Sequence, residues 1–71
     1  METRNTIQKQ TILQAVKQLA NHPTAEQVYE QVVQRLPNIS RATVYRTLSS
    51  MAERGMLRRT GVPGGADHYD H

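Results

Sequence analysis

The chain has 71 residues, which is enough for one small domain with one hydrophobic core. Nine lysines and arginines against six acidic residues give a formal net charge of +3, and a basic excess favours nucleic acid as a partner. The chain has no cysteine, which excludes a disulfide framework and a thiolate metal site within this segment. Its apolar runs are too short to span a membrane, and no secretory signal follows Met1. We therefore expect a cytoplasmic protein with no membrane partner.

The first predicted helix runs from about Asn5 to Ala20. Apolar residues recur there at helical spacing and would form one buried face: Ile12, Leu13, Val16, Leu19 and Ala20. Asn5 or Thr6 can cap the start of this helix, and the Asn-His-Pro sequence at 21–23 ends it.

The second predicted helix begins at Thr24. Thr24 and Gln27 have the spacing of a capping box, in which each side chain satisfies a backbone amide near the other residue. The helical pattern then continues to Leu36, and Pro37 is expected to end the helix. The apolar positions of this pattern are Ala25, Val28, Tyr29, Val32, Val33 and Leu36.

The third predicted helix covers residues 40–54, with Ser40 as its N-cap. Ile39 and Val44 are spaced as a hydrophobic staple, and Gly55 supplies the left-handed residue that ends the helix. Only residues 37–39 would separate this helix from the second one. So short a link forces a sharp angle between the two helices, which is typical of a helix-turn-helix. The expected core face consists of Val44, Leu48, Met51 and Ala52.

The remaining residues predict a β-hairpin. Extended segments at 56–62 and 66–70 flank a Pro-Gly-Gly turn at 63–65. No helix follows these glycines, so they indicate a turn and not a phosphate cradle. Arg58 and Arg59 would point to opposite faces of the first strand. The sequence therefore predicts a mainly α winged helix-turn-helix, with three helices and a two-stranded antiparallel wing.

The third helix exposes polar and basic side chains once its core face is set aside: Arg41, Thr43, Tyr45, Arg46, Thr47, Ser49 and Ser50. Arg41, Tyr45 and Ser49 fall on one stripe, and no acidic residue occurs from Ser40 to Ala52. A major groove admits such a helix. An ordinary solvated face, with Tyr45 half-buried against the first helix, is the alternative. The short turn before it and the basic strand after it favour DNA.

Three segments also carry a family resemblance: HPTAEQVY at 22–29, PNISRATVYRTL at 37–48 and DHYD at 67–70, together with Gly55. They resemble the ferric uptake regulator family, which includes iron-, zinc-, manganese- and peroxide-responsive repressors. The resemblance covers nearly the whole chain, and ATVYRTL at 42–48 is its most specific block. It implies that the third helix is the recognition helix, that Tyr45 contacts bases and that Arg46 contacts the phosphate backbone.

The start of the chain departs from the family pattern. Members often have Thr-Pro-Gln-Arg here, preceded by a basic residue that reaches the minor groove. This chain has Thr-Ile-Gln-Lys at 6–9, with Arg4 in the basic position. The expected DNA-contacting residues are Arg4, Lys9, Ser40, Arg41, Thr43, Tyr45 and Arg46.

The resemblance further implies a divalent metal, Fe, Mn or Zn, between this DNA-binding half and a C-terminal dimerisation half. His22 and Asp70 match two family ligands, and the remaining ligands would lie beyond residue 71. Residues 1–71 would then be the N-terminal winged-helix domain of a longer regulator. The alternative for His22 is a residue that merely ends a helix. His68 and His71 are expected to be solvated. An Asp at position 70 is similar to peroxide-sensing members.

The function that follows is a metal-responsive repressor that binds an A·T-rich palindromic operator as a homodimer. Metal would shift a two-state equilibrium towards the arrangement that binds DNA. The alternative is a winged helix that binds protein or RNA and senses no metal, which would expose an apolar patch. No enzyme is expected, because the sequence has no nucleophile with a base and no phosphate-binding loop.

Overall fold

In a computed structural model, the chain is described over residues 4–19, 22–61 and 65–70, with side chains from Thr6 onwards. These residues form α1 (Arg4–Gln18), α2 (Ala25–Val32), α3 (Arg41–Glu53), β1 (Arg58–Thr60) and β2 (His68–Asp70). The two strands pair antiparallel. The chain is therefore the winged helix-turn-helix that its sequence predicts.

The first helix begins earlier than expected. Because α1 starts at Arg4, Asn5 and Thr6 lie inside its first turn, and the prediction that either one caps the helix is wrong. At the other end, the Leu19 amide still donates to the Ala15 carbonyl at 2.9 Å. Ala20, where the helix was expected to end, lies outside the described residues.

The second helix has the predicted start but not the predicted end. Thr24 is its N-cap, and both hydrogen bonds of the capping box with Gln27 are present, at 2.9 and 3.2 Å. The helix ends at Val32, and residues 33–36 form tight turns in which the Leu36 amide donates to the Val32 carbonyl at 2.9 Å. Pro37 does not end the helix, and the link to α3 is longer than the three residues predicted.

The third helix has both predicted ends. Ser40 is the N-cap, and its Oγ accepts a hydrogen bond from the Thr43 amide at 3.1 Å. At the C-terminus Gly55 has φ +80°. The Met56 amide donates to the Met51 carbonyl at 2.9 Å, and the Gly55 amide donates to the Ala52 carbonyl at 3.1 Å. This pair of bonds is a Schellman motif.

The wing is shorter than expected. Each strand has three residues, with Arg58 opposite Asp70 and Thr60 opposite His68. Residue 57 lies before β1, and its amide donates to the Met51 carbonyl at the end of α3 at 3.3 Å. The predicted turn lies partly outside the described residues, which omit 62–64.

One hydrophobic core joins the three helices to the wing. Aliphatic side chains fill its centre, and each contributes roughly 1.5–3 kcal/mol when fully buried. The wing adds Leu57 and Tyr69, which are 4% and 5% exposed. Within the described parts of the chain, no helix is long and apolar enough to cross a membrane. The buried apolar residues are Ile12, Ala15, Val16, Val28, Val32, Ile39, Val44, Leu48, Met51, Leu57 and Tyr69.

Candidate nucleic-acid interface and metal-binding half-site

The first turns of α3 present the predicted DNA-contacting face. Val44 and Leu48 turn the other face of the helix into the core. Arg41 and Arg46 are exposed, and Tyr45 is 41% exposed. The polar flank of α3 therefore lies on the surface, as a helix that enters a groove requires.

The hydroxyls at the N-terminus of α3 are partly engaged with each other. Ser40 Oγ and Thr43 Oγ1 share a hydrogen bond of 2.8 Å, while Ser40 also caps the helix. The free amides of the first turn create a positive end that favours an anion such as a phosphate. Ser40 and Thr43 thus shape the helix end and keep hydroxyl oxygens near it.

An acidic residue of α2 also lies on this surface. Arg41 Nε donates to Glu26 Oε1 at 3.0 Å, and Arg41 Nη2 donates to Glu26 Oε2 at 2.8 Å. The Tyr45 hydroxyl donates to Glu26 Oε1 at 3.0 Å. No acidic residue occurs from Ser40 to Ala52, as expected, but Glu26 of α2 brings a carboxylate to the same surface. The Tyr45 hydroxyl is therefore held by α2, whereas the alternative drawn from the sequence placed this side chain against the first helix.

These contacts shift the pKa values of Glu26, Arg41 and Tyr45. The Arg41 guanidinium, and then the Tyr45 hydroxyl, hold the pKa of Glu26 below its usual value by hydrogen bonding to the carboxylate. The same carboxylate raises the pKa of Arg41 and that of Tyr45. The Arg41 guanidinium carbon also lies 4.6 Å from the centre of the Tyr29 ring, in the range of a cation–π contact.

The other predicted basic contacts lie on α1 and the wing. Lys9 is exposed on α1, and Arg4 begins this helix with a side chain outside the described part of the structure. Arg58 and Arg59 are both exposed on β1. Both arginines of β1 are therefore accessible to a polyanion.

The predicted metal ligands meet where the loop before α2 contacts the wing. His22 Nδ1 lies 3.4 Å from Asp70 Oδ2, and both side chains are accessible, at 62% and 38%. His22 has φ 57°, the left-handed region that a residue other than glycine rarely adopts. The Tyr69 amide of β2 donates to the Pro23 carbonyl at 2.8 Å, which holds this loop on the wing.

His68 supports the same loop. Its Nδ1 lies 2.6 Å from the His22 carbonyl oxygen, and because a carbonyl only accepts, Nδ1 carries the proton and donates it. His68 is partly exposed, and this hydrogen bond gives it a structural contact that the sequence did not predict. His71 lies outside the described residues.

An imidazole nitrogen and a carboxylate oxygen suit Fe, Mn or Zn. At metal–ligand distances of about 2.0–2.2 Å, two neighbouring tetrahedral ligands stand about 3.3–3.6 Å apart. The observed 3.4 Å between His22 and Asp70 falls in this range. Within residues 4–19, 22–61 and 65–70, no group of three or more histidine, cysteine or acidic side chains could hold a metal. The donor types and the spacing of His22 and Asp70 therefore fit two ligands of a divalent metal.

Comparison with known proteins identifies the family. The model of the ferric uptake regulator family matches residues 1–71. The chain belongs to this family. It is 36% identical over 69 residues to a ferric uptake regulation protein of Synechococcus elongatus, with 94% of this chain and 47% of that protein covered.

Two solved structures of the family show the same fold. The peroxide stress regulator of Campylobacter jejuni superposes with a TM-score of 0.82 at 30% identity, over 94% of this chain and 49% of that one. FurB of M. tuberculosis, a zinc uptake regulator, gives 0.83 at 31% identity, over 96% and 53%. The chain spans about half the length of the curated relatives it matches.

Proposed function

We propose that this chain is the DNA-binding domain of a metal-responsive transcriptional repressor in the ferric uptake regulator family. The observation that carries the proposal is the exposed surface of α3, where Arg41, Tyr45 and Arg46 are accessible while Val44 and Leu48 of the same helix are buried. This face has the size and chemistry to enter a major groove. Tyr45 contacts bases and Arg46 contacts phosphate, while Ser40, Thr43 and Arg41 act at the helix N-terminus.

The flanking elements extend the proposed interface. Arg4 and Lys9 contact the DNA backbone or minor groove from α1, and one of the two wing arginines, Arg58 or Arg59, contacts a phosphate. The partner is an A·T-rich palindromic operator, bound by a homodimer of the longer regulator in the cytoplasm. Support for a longer regulator comes from the relatives, about half of whose length the chain spans.

His22 and Asp70 hold part of a divalent metal site that residues beyond 71 complete. When bound, the metal supplies a bridge between this domain and the rest of the protein. His22 contributes a neutral nitrogen and Asp70 a carboxylate oxygen, from a loop and a strand that are already hydrogen bonded to each other. Fe, Mn and Zn all accept such ligands. The role is regulatory and not catalytic.

A protein-docking module has less support. The large apolar side chains exposed in the described part of the chain are Ile7, Tyr45 and Met56. They lie on α1, on α3 and ahead of β1, so they belong to different elements. A docking face for a partner protein needs a contiguous apolar centre.

The salt dependence of DNA binding tests the proposal. We expect the chain to bind duplex DNA with an affinity that falls steeply from about 50 to 200 mM salt, because each phosphate contact releases counterions. Arg46→Ala should reduce the slope by about one contact. Arg35→Ala is the matched control, since this arginine donates to Gln14 of α1. An affinity that does not change with salt contradicts DNA binding.

A further inference from the structure

The Glu26 carboxylate connects α2 to two proposed DNA-contacting residues of α3. It accepts hydrogen bonds from Arg41 through both of its oxygens and from the Tyr45 hydroxyl through Oε1. Glu26 itself is accessible, with 43% of its side chain exposed, so the cluster is not part of the core. One carboxylate therefore controls two side chains on the surface that is proposed to meet DNA.

Glu26 limits what Arg41 can offer to DNA. A guanidinium has five N–H groups, and Glu26 takes the Nε proton and one Nη2 proton. The edge that remains consists of Nη1 and the second Nη2 proton. The Tyr29 ring lies against one face of the same group, so its orientation is restricted. The negative charge of Glu26 also reduces the attraction of Arg41 for phosphates in general.

Glu26 fixes the hydrogen-bonding role of Tyr45. A phenol has one proton to donate, and here that proton goes to Glu26 Oε1. The hydroxyl oxygen can then only accept further hydrogen bonds. In the major groove the base donors are the amino groups of adenine and cytosine, whereas guanine and the thymine O4 offer acceptors. A Tyr45 held in this way discriminates among bases by chemistry and not only by shape.

We propose that Glu26 is a specificity-determining residue. It makes the Tyr45 hydroxyl a hydrogen-bond acceptor towards DNA, leaves only one edge of the Arg41 guanidinium available, and suppresses non-specific phosphate binding. The inference rests on the proposed function, because it concerns the same DNA-contacting surface. Glu26 acts through Tyr45 and Arg41, so it is a positioning residue and need not contact DNA.

The test compares two duplexes, one selected by the wild-type chain from a randomised pool and one of random sequence. For Glu26→Ala we expect the ratio of the two affinities to fall by about tenfold or more, the scale of one base contact. For Glu26→Gln we expect tighter binding to the random duplex and a steeper salt slope, because Arg41 loses its counter-charge. Glu30→Ala and Glu30→Gln are matched controls on an exposed site of the same helix.

A double-mutant cycle separates positioning from a merely structural role. In a Tyr45→Phe background, Glu26→Ala should change the affinity ratio by a smaller factor, because the hydroxyl it orients is gone. The inference is overturned if wild type and Glu26→Ala show the same ratio of affinities for the two duplexes. It is also overturned if Glu26→Ala loses the same affinity for both duplexes and has a lower midpoint of unfolding. If the wild type selects no duplex from the pool and does not bind the random one, it is the proposed function that fails.

Discussion

At the residue scale, the Tyr45 hydroxyl lies 3.0 Å from a carboxylate of another helix, to which it donates. Loss of the phenolic proton would place two negative groups side by side. The hydrogen bond to Glu26 and its charge therefore raise the pKa of Tyr45. A raised pKa in the folded state means that this interaction stabilises the fold below the ordinary tyrosine pKa. The stabilisation is lost as the pH rises through the folded value.

We predict that Glu26→Gln lowers the pKa of Tyr45 towards its ordinary value, because the neutral amide removes the charge while keeping an acceptor. Titration of the Tyr45 ring by carbon NMR measures this directly, and it separates Tyr45 from Tyr29 and Tyr69. Glu30→Gln should leave the titration unchanged. An identical Tyr45 curve in wild type and Glu26→Gln would mean that the carboxylate does not hold the hydroxyl in solution.

The left-handed residue that ends α3 gives a prediction at the scale of one element. Gly55 has φ +80°, and an added Cβ would meet nothing within 4 Å. Gly55→Ala should therefore destabilise the fold through backbone conformation alone, by about 1–2 kcal/mol. The midpoint of urea unfolding measures the change. Gly61→Ala is the control, because its φ lies outside the positive range and its nearest contact is the exposed Asp67. Equal destabilisation by the two variants would contradict a conformational origin.

The starts of α2 and α3 and the end of α3 were predictable from sequence, because local chemistry sets them. Thr24, Ser40 and Gly55 act through backbone groups within a few residues, so their spacing is enough to place them. The end of α2 was not predictable in this way. Leu36 continues the apolar pattern and packs on the core, although the backbone has already left the helix at Val32. Apolar periodicity reports burial, and a tight turn buries a side chain as well as a helix does.

The two parts of the site differ in how far the sequence could predict them. Family resemblance paired His22 with Asp70, and the structure brings their side chains together. Glu26 was missed because it is distant in sequence from Arg41 and because the exposed face of α3 was considered without its neighbours. The available signal was that Glu26 and Arg41 both lie in first helical turns of a helix-turn-helix. Their contact still depends on the angle between α2 and α3.

At the scale of the whole molecule, the wing and the loop before α2 form one unit. The Tyr69 amide donates to the Pro23 carbonyl at 2.8 Å, and His68 Nδ1 donates to the His22 carbonyl at 2.6 Å. Thr24 and His68 also form an isolated β-bridge. The antiparallel pairing of β2 with β1 carries this connection to the end of α3. A ligand that binds both His22 and Asp70 would therefore affect the positions of the wing and of α2 together.

This connection predicts how metal affects the proposed longer regulator. If His22, Asp70 and further ligands hold a metal as proposed, the metal would favour one placement of the winged helix. The DNA affinity would then rise by no more than the factor by which the metal prefers that placement. His22→Ala or Asp70→Ala should weaken Mn²⁺ or Zn²⁺ binding at least about tenfold, as measured by calorimetry. Either variant should also abolish the metal dependence of operator binding. Asp67→Ala is the matched control on the wing. The isolated chain should still bind DNA with either substitution, because neither residue lies on the exposed face of α3. Retained metal dependence in both variants would leave His22 and Asp70 with a structural role only.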